Sequence, residues 1–460
     1  MSPLPPDAEI LTRPLDALPD PLRIPTITQE PGKAPPQAEI RPPGSKSLTN
    51  RLLLLAALAP GISTIRNPLL EADDARRMLD AIESLGAEVH PENDGVRIHG
   101  VAGRWRTTAE TTLKLNNAGT ATRFLAAAAL CADHPLIIDG NERMRRRPIG
   151  ELADLLTTLG ARVEYLGAPG CPPVRITPPV GGPKTDTLTA ATTRSSQFIS
   201  ALLLVAPFLA GGLTLRLSGT VTSASYVRMT VALLEQLNVT VRTSENLRVI
   251  RVLPGLEAFD VDVEPDASGA TYFWAAGALI PGASVRVNGL KAGSLQGDSG
   301  FAVLLARMGA SVALAEGSIA VHGPDRLGPI LADMSDMPDA AMTLAVCAAF
   351  AEGTSIIRGV RTLRDKECDR IAALQSELGK IGVVVEADVR GDPDVLTVTP
   401  PPGGIAACGD PVVFETFDDH RMAMSLSLFG LRRTGVSIRD PGCVAKTYPG
   451  FFADLAMLYG

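Results

Sequence analysis

The 460-residue chain has little of several residue types, and each shortage excludes a class of protein. Aromatic residues make up only 4% of the sequence and the formal net charge is −7, so the surface as a whole does not suit nucleic acid. The six cysteines are scattered without a C-x-x-C pair, which disfavours both a disulfide framework and a zinc site. The apolar run 198–210 is too short to cross a bilayer and contains Pro207. Because the N-terminus also lacks the pattern of a signal peptide, we expect a cytoplasmic protein with reduced thiols.

Small and aliphatic residues are abundant instead. The sequence is 45% hydrophobic and contains 43 glycines, a composition that suits α/β layers joined by tight turns. Its length allows two or three domains. Residues 1–36 are rich in proline and poorly periodic, and we expect them to form an irregular N-terminal extension.

One pattern recurs six times along the chain: Ser, Thr or Asp among small residues, followed by an apolar helix. The six segments begin at Ser45, Gly119, Ser195, Asp266, Pro338 and Asp418. Starts spaced roughly 70 to 80 residues apart indicate repeated structural units. Amphipathic helices followed by β-branched strands lie between them, for example at 73–89 and 368–386. Each unit therefore pairs a buried helix, apolar all round, with an outer amphipathic helix. The six units divide into an N-terminal lobe, 45–260, and a C-terminal lobe of 37–44 with 261–460.

Charged residues in the stretch 333–374 depart from the usual preferences of helices. Asp339 precedes an apolar run and can cap the helix that this run predicts. A second predicted helix carries Lys366 and Arg370 in its first turns, where cations oppose the helix dipole. Local rules tend to be broken at functional sites, so these cations beside Glu367 indicate a site for an anionic ligand whose protons move. The alternative interpretation of the same residues is an N-cap and a solvated charged face.

Eight short motifs, taken in order, resemble the 5-enolpyruvylshikimate-3-phosphate synthase family. They are PGSKSLTNR (43–51), NAGTATR (117–123), ERMRRRPIG (142–150), SSQF (195–198), PDAAM (338–342), KECDR (366–370), DDHRMAM (418–424) and AKTYP (445–449). The resemblance runs from about residue 40 to 459. It implies a two-domain inside-out α/β barrel, in which each domain has three βαβαββ units with buried central helices. It also implies transfer of the enolpyruvyl group of phosphoenolpyruvate to the 5-hydroxyl of shikimate-3-phosphate, through a tetrahedral ketal, with release of phosphate and without a metal or organic cofactor.

The resemblance further implies the substrate contacts. Both substrates are anions, which suits cations and helix N-termini. The implied contacts of phosphoenolpyruvate are Lys46, Asn117, Gly119, Arg143, Gln197, Arg370, Arg421 and Lys446. Those of shikimate-3-phosphate are Lys46, Ser47, Arg51, Ser195, Ser196, Gln197, Ser223, Tyr226, Asp339, Thr362 and Lys366. Thr362 stands where the family often has Asn, so a shorter hydroxyl replaces an amide.

Three of these positions carry the implied catalysis. Asp339 is the base for the attacking hydroxyl, and Glu367 is the acid and base at the methylene carbon. Lys46 is the third catalytic residue and balances charge together with Lys366.

The partners implied by the resemblance are the two small-molecule substrates, with no nucleic acid and no membrane. Gly119 leaves room for glyphosate, which competes with phosphoenolpyruvate in this family, and a monomer is expected. Taken alone, the four arginines Arg143, Arg145, Arg146 and Arg147 are typical of a solvated charged surface or a nucleic-acid patch. The acidic total disfavours the patch.

Two other functions stay open at this point. The nearer is a UDP-N-acetylglucosamine enolpyruvyl transferase, which has the same fold and donor and usually carries a reactive Cys before the Arg placed at Arg143. Segment 139–147 has no Cys. The other is a non-catalytic anion-binding protein, which the intact Asp339, Glu367 and Lys46 disfavour. Turnover with the two substrates distinguishes all three.

Overall fold

The computed structural model describes residues 4–28, 34–190, 195–219, 221–291 and 293–460. Residues 1–3 and 29–33 of the expected extension lie outside the described residues. The chain folds as two compact units, here called the N-terminal unit, Gly44–Glu264, and the C-terminal unit, Met1–Pro43 with Pro265–Gly460. The second boundary between the two units lies between Glu264 and Pro265. It falls after residue 260 because the strand Asp260–Asp262 pairs within the N-terminal unit.

The N-terminal unit contains three four-stranded sheets that share one strand order. In each, a parallel pair is followed by two antiparallel neighbours. The sheets, in spatial order, are Asp260–Asp262, Ile62–Arg66, Gly95–His99 and Glu88–Glu92; Thr111–Lys114, Leu136–Asp139, Val174–Thr177 and Arg162–Tyr165; and Thr187–Ala190, Leu213–Leu217, Val249–Val252 and Val241–Thr243. In the first sheet, the first strand of this order, Asp260–Asp262, comes from the C-terminal end of the unit. The end of the unit therefore pairs with the first of its three βαβαββ repeats.

Two kinds of helix alternate in the N-terminal unit. The central helices are buried on nearly all sides, and the outer helices only on one face. The central helices are Lys46–Leu58, Gly119–Ala128 and Ser196–Val205, and the outer helices are Asp73–Ser84, Gly150–Thr158 and Ala224–Gln236. Arg51 of the first central helix lies over the Phe124 ring at 5.2 Å and donates to Ser200 Oγ at 3.3 Å. These residues occupy the fifth or sixth position of their helices, so the three N-termini lie at one end.

The C-terminal unit repeats this architecture with one change. Two of its sheets have four strands: Gln37–Ile40, Ser284–Asn288, Ser318–His322 and Ser311–Ala315; and Leu331–Asp333, Ser355–Arg358, Val395–Thr399 and Val384–Ala387. Within the described part of the chain, the third sheet has three strands: Val412–Phe414, Val436–Ile438 and Leu22–Arg23. Leu22–Arg23 pairs antiparallel with Val436–Ile438 and takes the place that a later strand fills in the other repeats.

Central helices fill this unit as well: Ala267–Leu279, Ala341–Ala349 and His420–Ser427, all of whose residues are buried. The outer helices are Phe301–Arg307, Arg370–Gly379 and the C-terminal Phe451–Ala456. The hydroxyls of Thr271 and Thr343 lie 3.3 Å apart, and those of Thr343 and Ser425 lie 3.4 Å apart. This chain of hydroxyls joins the three central helices. The predicted fold, with buried central helices, is confirmed.

The N-terminal segment was expected to be irregular, but its described part contains short elements. It has a helix at Pro6–Glu9, 3₁₀ turns at Ile10–Thr12 and Leu15–Ala17, and the strand Leu22–Arg23. The remaining 3₁₀ segments are Ala129–Cys131, Met144–Arg146, Ala206–Phe208, Gly297–Gly300, Pro338–Ala340, Arg361–Asp365, Val389–Gly391, Leu428–Leu431, Pro441–Lys446 and Met457–Tyr459. Among the described residues, every helix is too short or too polar to span a bilayer.

Candidate active site

Charged side chains meet at the helix N-termini of the C-terminal unit. We call this set the acid–base cluster; its members are Asp339, Lys366, Glu367, Arg370, Asp419, Arg421 and Lys446. Short or irregular segments just before or after helices supply most of them, and two residues belong to first turns of helices. The cluster therefore combines four cations with three carboxylates in a region that already has the positive ends of helix dipoles.

Asp339 is held by three cations. Its Oδ1 lies 3.2 Å from Lys366 Nζ and 3.1 Å from Arg370 Nη1, and its Oδ2 lies 3.0 Å from Arg421 Nη2. The side chain is 16% exposed, so one edge of the carboxylate remains accessible. Asp339 is not the N-cap residue of the helix Ala341–Ala349, because it lies within the 3₁₀ turn Pro338–Ala340 that leads into this helix.

Glu367 is held by two cations. Arg370 Nη2 lies 2.9 Å from its Oε2, and Lys446 Nζ lies 3.1 Å from its Oε1. The side chain is 8% exposed. Glu367 does not lie in a helix, because the helix predicted to include Lys366 begins only at Arg370, capped by Asp369. The two sequence-predicted acid–base residues therefore share Arg370.

Arg370 organises the acid–base cluster. Its Nε lies 2.7 Å and its Nη2 3.2 Å from the carboxylate of Asp419, a bidentate contact, and the same guanidinium reaches Asp339 and Glu367. Burial opposes the charged form, but the carboxylates of Asp419, Glu367 and Asp339 outweigh it and raise the pKa of Arg370 above its ordinary value. Asp419, fully buried, also caps the helix His420–Ser427 through Arg421 N at 2.9 Å. Arg370 thus remains a cation in a nearly dry position.

A fourth buried acid of the C-terminal unit, Asp298, is influenced by the charges of two members of the acid–base cluster, Asp339 and Arg421. Asp298 lies on the 3₁₀ turn Gly297–Gly300, which packs against the helix Ala267–Leu279. It is 3% exposed, and its Oδ1 has no hydrogen-bond partner among the described residues. Burial, with a smaller effect of Asp339, raises the pKa of Asp298 to about 7. The sequence analysis did not single out this residue.

Lys46 begins the first central helix of the N-terminal unit. Its Nζ lies 3.3 Å from Asp74 Oδ2, and both side chains are largely buried. Ser47 follows it, and its backbone carbonyl accepts a hydrogen bond from Arg51 Nη1 at 2.8 Å. Asp74, on the outer helix Asp73–Ser84, was not predicted as a site residue.

Gly119 begins the second central helix, beside the guanidinium of Arg147. A Cβ at Gly119 would lie 2.8 Å from Arg147 Nη2 and 3.0 Å from Nη1. Arg147 Nη1 lies 3.2 Å from Asn117 Oδ1, and Arg147 is 6% exposed. The interpretation of Arg147 as part of a solvated run is therefore wrong, whereas Arg145 and Arg146 are exposed and pair with Asp139 and Glu142. Arg143 lies half-buried at the start of this turn.

Ser195 caps the third central helix, as its Oγ accepts from Gln197 N at 3.2 Å. The Gln197 amide donates to Thr120 Oγ1 at 3.4 Å, which ties the starts of two central helices together. Ser196 is buried at the same end. Ser223, at the start of Ala224–Gln236, has φ 51, a left-handed conformation that a non-glycine residue seldom adopts.

Arg51 is committed to the scaffold of the N-terminal unit. It donates to Thr230 Oγ1 at 2.9 Å, and to Ser200 Oγ and the Tyr226 carbonyl at 3.3 Å each. Burial lowers the pKa of Arg51 to about 10. The same Tyr226 carbonyl accepts from Thr230 Oγ1 at 2.9 Å. This network holds two central helices against the helix Ala224–Gln236.

Comparison with known proteins defines the family. The family model described as EPSP synthase (3-phosphoshikimate 1-carboxyvinyltransferase) matches residues 31–455. A 3-phosphoshikimate 1-carboxyvinyltransferase of Thiobacillus denitrificans is 43% identical over 437 residues, covering 92% of this chain and 97% of that protein. One of Laribacter hongkongensis is 44% identical over 430 residues, covering 90% and 95%. The chain belongs to the EPSP synthase family.

Solved structures agree with this assignment. An EPSP synthase of Acinetobacter baumannii superposes with a TM-score of 0.73 at 26% identity, covering 94% of this chain and 97% of that one. The enolpyruvyl transferase NikO of Streptomyces tendae, at 20% identity and a TM-score of 0.68, shares the fold. The chain is thus an enzyme of the 3-phosphoshikimate 1-carboxyvinyltransferase class, and the UDP-N-acetylglucosamine alternative is not favoured.

The structure of this EPSP synthase family member adds one detail about Thr362. Its Oγ1 is buried without a hydrogen-bond partner among the described residues. Thr362 lies on the 3₁₀ segment Arg361–Asp365, just before Lys366. The described residues contain no group of three His, Cys, Asp or Glu side chains arranged to hold a metal ion.

Proposed function

We propose that this chain transfers the enolpyruvyl group of phosphoenolpyruvate to the 5-hydroxyl of shikimate-3-phosphate, through a tetrahedral ketal, and releases phosphate. One observation carries the proposal: Asp339 and Glu367 are two separate carboxylates, each held by at least two cations. The reaction needs one group that takes the proton of the hydroxyl and another that gives a proton to the methylene carbon and later removes it. Two carboxylates with different partners meet that requirement.

The cations of the acid–base cluster are the groups that an anionic donor needs. Arg370 and Arg421 present guanidinium forks that match a carboxylate, and Lys446 offers a point charge. In the structure, Arg370, Arg421 and Lys446 form ion pairs with Asp339 and Glu367. A phosphoenolpyruvate carboxylate bound to Arg370 and Arg421 would compete with Asp339 for them. Because nearby cations favour the ionised form, their diversion makes Asp339 a stronger base just when the donor is bound.

Binding of phosphoenolpyruvate changes the surroundings of Glu367 in the same way. When Lys446 and Arg370 turn to the donor, Glu367 loses the charges that keep it ionised, and it accepts a proton more readily. A protonated Glu367 can then give that proton to the methylene carbon. Lys366 stays beside Asp339 and balances its charge. Thr362 Oγ1, a buried hydroxyl, is suited to a hydrogen bond with shikimate-3-phosphate.

In the N-terminal unit, helix N-termini and short polar side chains suit phosphate groups. We assign shikimate-3-phosphate to the serines at or near these N-termini, with Lys46 and Gln197 beside them; the serines are Ser47, Ser195, Ser196 and Ser223. Arg51 and the Tyr226 carbonyl are better described as positioning groups, since their hydrogen bonds hold helices.

For phosphoenolpyruvate we assign Lys46, Asn117, Gly119 and Arg143 in the N-terminal unit. Arg147 is added, because it fills the space next to Gly119 and donates to Asn117. A backbone without a side chain lets a phosphate approach the helix start closely. We further propose that the enzyme works as a cytoplasmic monomer and that glyphosate competes with phosphoenolpyruvate.

Release of phosphate is the direct test of this function. The wild-type enzyme should release phosphate from phosphoenolpyruvate only when shikimate-3-phosphate is present. UDP-N-acetylglucosamine serves as the alternative acceptor: release with it, and none with shikimate-3-phosphate, would refute the proposal. No release with either acceptor would favour a non-catalytic anion-binding protein.

Isotope exchange separates the roles of the two carboxylates. Glu367→Gln and Asp339→Ala should each lower turnover by about 10²- to 10⁴-fold. In D₂O, Glu367→Gln should also stop deuterium entering the methylene group of recovered phosphoenolpyruvate, whereas Asp339→Ala should block ketal formation. Glu352→Gln, an exposed partner of Arg326, is the matched control and should leave both rates unchanged. Deuterium exchange by Glu367→Gln at the wild-type rate would transfer the carbon-acid role to another residue, with Lys46 first in line.

A further inference from the structure

The segment before residue 31 lies outside the part of the chain that matches the family model. Its described part, residues 4–28, is nevertheless folded into the C-terminal unit. Leu11, Leu22 and Ile24 are each at most 1% exposed and belong to the core of that unit. We call residues 4–28 the N-terminal strap.

Three contacts fix the strap along the C-terminal unit. Leu22 and Arg23 pair with Ile438 and Ser437, and the ladder continues as Ile24 N donates to the Val436 carbonyl at 3.0 Å. Further along, Ile27 N donates to the Leu431 carbonyl at 3.1 Å. A Cβ on Gly430 would lie 2.4 Å from that of Ile24, so the close approach of the strap requires glycine there.

The strap also reaches the segment that carries Lys446. Its 3₁₀ turn Leu15–Ala17 packs against Pro441–Lys446. Asp20 Oδ1 accepts hydrogen bonds from Asp440 N at 3.0 Å and from Arg439 Nη1 at 3.4 Å. Asp440 directly precedes the 3₁₀ segment Pro441–Lys446 and has φ 46, a conformation that persists in a non-glycine residue only when its neighbours hold it. Asp20 is one of those neighbours.

We propose that Asp20 is a positioning residue, through which the N-terminal strap orients Pro441–Lys446 and so places the Lys446 ammonium for the donor substrate. The path is continuous: Asp20 holds the backbone of Asp440, this residue begins the turn, and the turn ends at Lys446, 3.1 Å from Glu367. The inference rests on the proposed function insofar as Lys446 contacts phosphoenolpyruvate.

A double-mutant cycle on the full-length enzyme tests whether Asp20 acts through Lys446. The variants are Asp20→Ala, Lys446→Ala and their combination, with Asp20→Asn as the conservative variant, since its amide oxygen still accepts from Asp440 N. Asp16→Ala is the matched control, because Asp16 is an exposed aspartate of the same strap. The Michaelis constants of both substrates, kcat and the thermal midpoint are measured for each.

We expect Asp20→Ala to raise the Michaelis constant of phosphoenolpyruvate roughly fivefold, the effect of one lost hydrogen bond. The constant for shikimate-3-phosphate and the thermal midpoint should stay near wild type, Asp20→Asn should recover most of the loss, and Asp16→Ala should behave as wild type. In the Lys446→Ala background, Asp20→Ala should have no further effect.

Three results for Asp20→Ala would overturn the inference. They are an unchanged Michaelis constant of phosphoenolpyruvate, an equal rise in the Michaelis constants of both substrates, or a fivefold effect that persists in the Lys446→Ala background. Failure of the proposed function looks different. In that case Lys446→Ala itself leaves the constant for phosphoenolpyruvate unchanged, or the wild-type enzyme shows no turnover.

Discussion

Asp298 gives the sharpest test of the electrostatics of the C-terminal unit. Its carboxyl is 3% exposed, one of its oxygens has no partner among the described residues, and burial raises its pKa to about 7 from an ordinary value of 3.8. Asp298→Asn removes the ionisable group while it keeps the shape of the side chain. The amide cannot acquire a charge, so the variant should lose the pH dependence of stability that Asp298 produces.

The sign and size follow from proton linkage. Folding raises the pKa of this carboxyl, so the folded protein binds the proton more tightly than the unfolded chain. The resulting stabilisation is complete below pH 3.8 and is lost as the pH rises through about 7. A shift of about three pKa units corresponds to about 4 kcal/mol, of which about 3 kcal/mol is lost between pH 5 and pH 8. The free energy of unfolding of the wild type should therefore fall by about that amount relative to Asp298→Asn.

The two tryptophans allow this to be measured in the correct unit. Trp274 lies in the helix Ala267–Leu279, against which the Asp298 turn packs, whereas Trp105 lies in the N-terminal unit. In a Trp105→Phe background, urea unfolding followed by Trp274 fluorescence reports the C-terminal unit from pH 5 to pH 8. Asp325→Asn, at an exposed position of the same unit, is the control and should give a difference that does not change with pH. Parallel pH profiles for Asp298→Asn and the wild type would refute the reasoning.

Two further predictions concern single side chains. Gly119→Ala should raise the inhibition constant of glyphosate roughly tenfold more than the Michaelis constant of phosphoenolpyruvate, because the methyl group displaces Arg147 and intrudes on the bulkier ligand. Steady-state inhibition kinetics measure both constants. Gly150→Ala is the control, because a Cβ there would lie 3.5 Å from its nearest neighbour. Equal changes in the inhibition constant and the Michaelis constant of Gly119→Ala would contradict the prediction. Arg370→Lys should destabilise the C-terminal unit by about 3 kcal/mol, since an ammonium cannot satisfy three carboxylates in a nearly dry position. Urea unfolding measures this loss, with Arg364→Lys as the control. Arg364 forms a half-buried ion pair with Asp388, and its replacement should lower the free energy of unfolding by less than about 1 kcal/mol.

Sequence reasoning reached the fold because the relevant signal is local. A helix that is apolar all round must be buried, and an amphipathic helix followed by a β-branched strand must lie outside it. Those patterns recur six times, and the structure has the corresponding central helices. The helix starts near Lys46, Gly119 and Ser195 were predicted for the same reason, because capping and small residues mark such starts in the sequence. The assignment of these residues to substrates came from the family resemblance.

The residues that were missed act through contacts distant in sequence. Asp74 pairs with Lys46 across 28 positions, and Asp419 holds Arg370 across 49. Nothing in the local sequence distinguishes the buried Asp74 from the half-buried Asp73 beside it. Arg147 differs from Arg145 and Arg146 only in that its side chain turns towards Asn117. Such choices are made by tertiary packing, which local pattern does not encode.

The N-terminal strap shows the same limit at the level of topology. Its composition is rich in proline and predicts an irregular segment, yet the sequence further on contains the reason for its order. The last repeat of the C-terminal unit ends after Val436–Ile438 and Phe451–Ala456 without the hairpin that closes the other repeats, which leaves a strand edge to be covered. Leu22–Arg23 covers that edge, and Gly430 makes room for Ile24. Because the edge strand Val436–Ile438 leads directly into Asp440 and the turn to Lys446, covering it also fixes the position of a charge in the acid–base cluster.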